Sequence, residues 1–164
     1  MTDFVVFPNP VLQQAAQPRP VDAAMLAVGE TLRAAAAGVE AFGLAAAHIG
    51  RVEPLVVISL SGPGEARDYR LLFNPTVQTK SEESAFGPEG SVSMPGIEVP
   101  IERAIRVEIG FDTAAGAREI LRLEGFAARV AQHEIDQVNG VFFLNRLSRL
   151  KRDTAIRKFS KSQR

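Results

Sequence analysis

The chain has 164 residues, long enough for one domain with a proper core, and its 46% hydrophobic and 23% charged residues are those of an ordinary globular protein. Its 19 basic and 19 acidic side chains cancel, which argues against a protein that coats nucleic acid through overall charge. The absence of cysteine excludes disulfides, thiolate nucleophiles, iron–sulfur clusters and cysteine-ligated zinc.

The opening MTDFVVFPNP has no basic segment followed by an apolar one, and no run of about 18 apolar residues occurs anywhere. Neither a signal peptide nor a membrane span is expected, and the expected compartment is the cytoplasm. Residues 1–20 hold four prolines and read as an extended arm. A helix is expected over Asp22–Glu40, with Asp22 as N-cap and Met25, Gly29, Leu32, Ala36 and Val39 as its apolar face. Gly38 and Gly43 punctuate its end. The continuous apolar run Pro54–Leu60 reads as a buried strand, Ser61–Gly64 as a turn, and Leu71–Lys80 as a second strand interrupted at Asn74-Pro75. Ser81–Gly96 is polar, rich in Gly and Pro, and reads as a loop. Ile105, Val107, Ile109 and Phe111 alternate with Arg106, Glu108 and Gly110, and Arg118–Glu124 follows as a hairpin partner. A second helix is expected over Phe126–Val138, ended by Asn139-Gly140, then a short strand at Val141–Leu144 and a final helix capped by Ser148 and running to about Phe159. No repeat or linker divides the chain. Antiparallel strands with helices at separate places make the fold class α+β.

The neutral total hides an asymmetry. Residues 146–164 hold eight basic side chains and one acid, Asp153, a surplus of seven positive charges that residues 1–145 must balance. The tail reads either as a solvated helix or as a contact for an anionic partner.

Three segments carry candidate chemistry. The first is Gly43–Gly50 with His48, where glycines allow close backbone approach. The second is Glu89–Gly96, which lacks the spacing of a nucleophile elbow. The third is His133-Glu134-Ile135-Asp136-Gln137, which puts His133 and Gln137 on one helix face. An HExxH helix uses that spacing to place two imidazoles on a zinc ion with Glu as base, but here Gln137 stands in the second position.

In order and spacing these segments resemble the signature motifs of the peptide deformylases. That family carries GxGLAAxQIG, EGCLS and QHExDH; this chain reads FGLAAAHIG, EGSVSMPG and QHEIDQVNG. Pro8–Pro10, Leu72-Phe-Asn-Pro75 and Leu147–Arg152 resemble the family's start, its LINP strand and its LSxLKR tail. The resemblance implies the peptide deformylase fold over 1–164, with antiparallel sheets around the HExxQ helix, N- and C-terminal helices, and a basic helix over about 148–164. It implies metal-dependent removal of the formyl group from N-formyl-methionyl peptides. It makes Glu134 the catalytic base and His133 a metal ligand. Ser91 and Gln137 stand at the other two ligand positions. His48 replaces a Gln whose amide stabilises the oxyanion, Val92 matches the residue whose N–H completes that oxyanion hole, and Gly43 and Gly90 keep the backbone tight around it.

Serine ionises poorly and a Gln carbonyl is a neutral donor, so affinity for Fe, Zn or Ni should fall steeply. The expected cofactor is one of these ions or none. Because Gln and His look exchanged between two motifs, His48 is a candidate replacement ligand beside His133 and Glu134. Without metal, a Ser91–His133 hydrogen bond is the alternative arrangement. Two functions follow from the resemblance. One is a deformylase homologue with weak or lost hydrolysis. The other is a non-catalytic protein that binds peptide N-termini at the ribosome, reached through the basic helix.

Overall fold

The computed structural model describes residues 3–164, so Met1 and Thr2 of the expected arm lie outside it. In chain order the elements are α1 (Ala23–Gly38), β1 (Gly43–Ala45), β2 (Leu55–Ser59), β3 (Tyr69–Lys80), β4 (Ser84–Glu89), β5 (Val99–Ala104), β6 (Arg106–Asp112), β7 (Arg118–Glu124), α2 (Phe126–Val138) and α3 (Arg149–Ser162). One antiparallel sheet has the order β1-β2-β3-β6-β7, and β4 and β5 form a separate antiparallel pair, so the architecture is α+β.

Helix α1 starts where the Asp22 carboxylate accepts the Met25 N–H at 2.8 Å, the expected cap. Met25, Gly29, Leu32 and Ala36 are buried, whereas Val39 lies past the helix end and is 52% exposed. Strand β2 explains its own unbroken apolar run. Leu55 and Val57 join the cluster containing Met25 and Leu32 of α1, while Val56 and Ile58 join the one containing Ala128, Ala131 and Ile135 of α2. Both faces of the strand are covered, so no polar alternation is left. Strand β3 runs through Asn74-Pro75 with a register shift between Phe73 and Thr76. Asn74 adopts φ +47° there, and its amide donates to Arg19 O at 2.7 Å and to Asp112 at 2.8 Å. The β6–β7 hairpin pairs Arg106 with Glu124 through to Asp112 with Arg118, as the alternation implied.

Three expectations are corrected. Ser81–Gly96 contains β4, which pairs with β5 from Ser84–Ala104 to Glu89–Val99. Most of its side chains are exposed and it holds Gly87 and Pro88, so its partner strand, not apolar patterning, makes it a strand. Val141–Leu144 is no strand. Phe142, Phe143 and Leu144 are consecutively buried, and the chain turns through a 3-10 helix at Phe143–Arg146. The arm also contains a 3-10 turn at Pro10–Gln13. Helix α3 is capped by Ser148, as expected, and runs on to Ser162.

The arm laces the molecule together. Val5 N–H donates to His48 O at 2.9 Å, Phe7 N–H to Ser93 O at 2.8 Å, and Ala16 N–H to Val138 O at 2.8 Å. The turn after α2 lies flush against it. Gly140 has φ +78°, and a Cβ there would sit 2.8 Å from Gln13 O and 3.0 Å from Ala15 N. Gly140→Ala should therefore lower stability by about 1–3 kcal/mol, through backbone strain and collision with the arm. Urea unfolding measures this, and an unchanged midpoint would show that the arm is not held there.

Candidate functional site

Helix α2 packs between the sheet and the β4–β5 pair. Its Gln132 side chain ties it to the end of β5, donating to Ala104 O at 2.9 Å and accepting the Ala104 N–H at 3.2 Å. The next two residues, His133 and Glu134, face a cavity of about 520 Å³. Strand β1 and the 3-10 turn after it bring Gly43 and His48 to the same cavity, and the segment after β4 brings Gly90, Ser91 and Val92. A larger groove of about 710 Å³ along β3, β6 and β7 contains none of these residues.

The ring of His48 is buried and its Nδ1 accepts the Ala45 N–H at 3.0 Å. An accepting Nδ1 leaves the proton of the neutral ring on Nε2. Burial, reinforced by nearby His133, holds the His48 pKa down at about 3, so the ring is neutral. Its Nε2–H has no partner among the described residues. The Val92 N–H likewise finds no acceptor among them.

His133 donates Nδ1–H to Glu89 Oε1 at 2.8 Å, which directs Nε2 to the cavity side of the ring. Burial disfavours the charged ring, but Glu134 and Glu89 outweigh it and raise the His133 pKa. A proton therefore competes with any cation for Nε2. Glu134 lies beneath Gly43, where a Cβ would meet Val130 Cγ1 at 2.7 Å and Glu134 Cγ at 3.0 Å; only glycine fits. Burial pushes the Glu134 carboxyl up to about 7, and its Oε1 is unpartnered, 3.7 Å from His48 Nδ1.

Two residues at expected ligand positions are engaged elsewhere. Gln137 is buried and donates Nε2–H to Leu12 O at 2.6 Å, fastening the arm. Ser91 Oγ accepts the Ser93 N–H at 3.1 Å. The expected Ser91–His133 hydrogen bond is absent among the described residues: His133 Nδ1 bonds Glu89, and Ser91 Oγ accepts the Ser93 N–H in a local turn. His48, His133 and Glu134 can each offer an atom within 4.8 Å of the others, a possible metal-binding triad. Within it, His48 Nδ1 is already bonded and its Nε2 carries a proton, so only His133 and Glu134 are ready donors.

Behind the cavity lies a buried ion network that motif reading missed. Arg103 is bidentate to Glu89 at 2.9 Å through both contacts, and donates Nη1 to Asp136 at 2.6 Å. Arg129 donates to Glu89 at 2.8 Å, and Arg146 is bidentate to Asp136 at 2.9 and 2.7 Å. Burial favours protonated Glu89, but His133 and Arg103 more than offset it and hold its pKa near 2. Glu89 and Asp136 sit inside the quoted motifs, but nothing in them points to arginines on β5 and beyond α2.

The family profile described as Polypeptide deformylase matches residues 1–153. A "Peptide deformylase-like" protein of Rhizobium meliloti (strain 1021) is 42% identical over 135 residues, 82% of this chain and 74% of that protein. A "Peptide deformylase" of the same strain is 32% identical over 160 residues, 97% and 92% of the two chains. The crystal structure of peptide deformylase from Ehrlichia chaffeensis superposes with a TM-score of 0.91 at 27% identity, covering 99% of this chain and 97% of that one.

The site makes stability depend on pH. An unfolded histidine titrates near 6.5 but folded His48 near 3, so the unfolded chain alone gains that proton as pH falls below 6.5. This contribution is lost on acidification at about 1.4 kcal/mol per pH unit. Glu134 acts oppositely: its folded carboxyl protonates near 7 rather than 4.5, so stability is gained as pH falls through that range. His48→Gln removes only the first effect. Its stability relative to wild type should rise as pH falls from 6.5 to 4.5 in a urea-unfolding series, and a pH-independent difference would refute the neutral, buried His48.

Proposed function

The chain belongs to the polypeptide deformylase family, and on that premise we propose that it is a divergent member in which metal-dependent removal of the N-formyl group from formyl-methionyl peptides is weak or lost. The cavity for a peptide N-terminus is retained. The observation that carries this reading is the engagement of the ligand positions. Gln137 is bonded to Leu12 O and Ser91 to the Ser93 N–H, and His48 Nδ1 is taken by the Ala45 N–H while its Nε2–H is buried and unpartnered among the described residues. This donor set does not fit a three-ligand catalytic ion of Fe, Zn or Ni. What remains suits binding: His48 Nε2–H and Val92 N–H are two free donors for an acyl oxygen, with Glu134 beside them and Gly43 and Gly90 allowing close approach. The "Peptide deformylase-like" relatives of Rhizobium meliloti and Agrobacterium fabrum, at 42% and 44% identity, resemble this chain more than the "Peptide deformylase" of Rhizobium meliloti at 32%.

Protein purified anaerobically without added metal should hold far less than one equivalent of Fe, Ni or Zn and should not turn over a formyl-Met peptide. The triple change S91C, Q137H and H48Q should restore metal and some hydrolysis. Stoichiometric metal with turnover in the unaltered protein would overturn the reading.

A second reading, a non-catalytic protein at the ribosome, is favoured by α3. Ala155 and Phe159 are buried against the body, while Arg149, Lys151, Arg157, Lys158 and Lys161 are exposed. No helix among the described residues is long and apolar enough to cross a membrane. Because α3 contributes to the core, charge replacement tests this better than truncation. Arg157→Glu, Lys158→Glu and Lys161→Glu together should abolish co-sedimentation with ribosomes at low salt, and wild-type binding should fall steeply between about 50 and 200 mM salt. Equal sedimentation of both proteins would make the tail a solvated helix only.

A further inference from the structure

Strand β7 ends the five-stranded sheet, and its outer edge is open. Its pairing with β6 is one-to-one from Arg106–Glu124 to Asp112–Arg118, with no register shift. The direction of its backbone groups follows from the two ends of the hairpin. Thr113 N–H donates to Ala117 O at 2.9 Å, and Gly125 N–H donates to Ile105 O at 2.8 Å. By the alternation of an antiparallel ladder, the odd-numbered residues of β7 therefore bond to β6. The N–H and C=O groups of Arg118, Ile120, Arg122 and Glu124 point out of the sheet edge, and no described backbone group pairs with them.

Sheet edges are commonly blunted by proline, by bulges or by shortness. Strand β1 has three residues, β4 holds Pro88 and β5 holds Pro100. Strand β7 has seven residues and neither Gly nor Pro. It carries charge, but of both signs, in the order Arg118, Glu119, Arg122, Glu124. Glu124 is exposed, and Arg106 opposite it on β6 is bonded to Glu83 at 3.1 Å, so Glu124 has no ion-pair partner among the described residues. Arg118 is held on the outer face by Asn74 O at 2.9 Å and Thr76 Oγ1 at 3.0 Å, and its Nε–H has no acceptor among the described residues. Ile120, on the same face, is 51% exposed, whereas Leu121 and Leu123 turn to the core under α2.

We infer that β7 is the interface of a symmetric dimer, pairing antiparallel with β7 of a second copy of this chain about a two-fold axis through Leu121. Outward residues then meet outward residues. Arg118 stands opposite the partner's Glu124, Ile120 opposite the partner's Arg122, and Leu121 opposite its own counterpart, with about eight backbone hydrogen bonds exchanged. Charge selects this register. A shift of two residues one way sets Arg118 against the partner's Arg122, and the other way sets Arg122 against its own counterpart. A shift of one residue mismatches the hydrogen-bonding groups. The register centred on Leu121 pairs opposite charges at both ends and opposes no like charges. It also covers Ile120 with the apolar stem of the partner's Arg122. None of the cavity-lining residues lies on β7, so the inference does not depend on the peptide-binding reading.

Sedimentation equilibrium of the full chain, from micromolar to millimolar concentration, should show monomer and dimer in exchange. Glu124→Arg sets like charges against each other at both ends of the interface and should weaken the dimer about tenfold or more. Ile120→Pro removes an outward N–H and no bond to β6, so the hairpin should survive while the dimer is lost. Hydrogen exchange identifies the edge itself. The amides of Arg118, Ile120, Arg122 and Glu124 should gain protection as concentration rises, while those of Glu119, Leu121 and Leu123 are protected throughout. A monomer at every concentration overturns the inference. So does a dimer that both variants leave intact, or one in which the four outward amides stay unprotected. Should either variant not fold, the exchange pattern of the wild type decides alone.

Discussion

Four hydrogen bonds converge on the carboxylate of Glu89, two from Arg103 and one each from Arg129 and His133, at 2.8–2.9 Å. A carboxylate only 4% exposed is tolerable only when its oxygens are so filled, because an unpaired buried charge is strongly destabilising. The constraint reaches through the molecule. Glu89 ends β4, Arg103 lies on β5, His133 and Asp136 lie on α2, and Arg146 closes the turn before α3. The two-stranded sheet, the central helix and the C-terminal segment are therefore oriented by one charge network, and the His133 ring is oriented with them.

The arm supplies the second constraint. It bonds to His48 O, Ser93 O and Val138 O, one residue in or beside each motif segment, so the cavity walls are tied from outside as well as within. Gln137 belongs to this lacing. Its amide reaches Leu12 O across 125 residues of sequence. A histidine at that position would lack the carboxamide that now fastens the arm, so the residue at this expected ligand position is coupled to the packing of the N-terminus. His48, which stands where the family resemblance implies a Gln, turns its accepting nitrogen to the Ala45 N–H and keeps a buried Nε2–H without a partner among the described residues. In hydrogen-bonding terms it reproduces what an amide N–H offers, and electrostatically it stays neutral because burial forbids the charged ring.

Much of the fold was legible because its patterns are local. The Asp22 and Ser148 caps, the α1 stripe, the two-sided run of β2 and the β6–β7 alternation each follow from residues within one element. Strand β4 was not legible: Phe86 is 67% exposed and Gly87 and Pro88 are poor strand formers, so its identity rests on pairing with β5. The Phe142–Leu144 run was misread because three consecutive apolar residues look alike in a strand and in a buried turn.

For the candidate site, the sequence alone nominated the members: His48, Gly43, Gly90, Ser91, Val92, His133, Glu134 and Gln137 follow from motif order, and all but Gln137 line one cavity. The resemblance also implied that Gln and His stand exchanged between two motifs. Only the tertiary structure decided what each could do. Whether His48 donates or accepts depends on a backbone N–H three residues away, and whether Gln137 faces the cavity depends on an arm 125 residues distant. Burial sets the direction of titration for His48 and Glu134, whereas charges gathered from β4, β5 and α2 reverse it for His133 and Glu89. Hydrogen-bond roles and desolvation are properties of neighbours in space, and a motif records only neighbours along the chain.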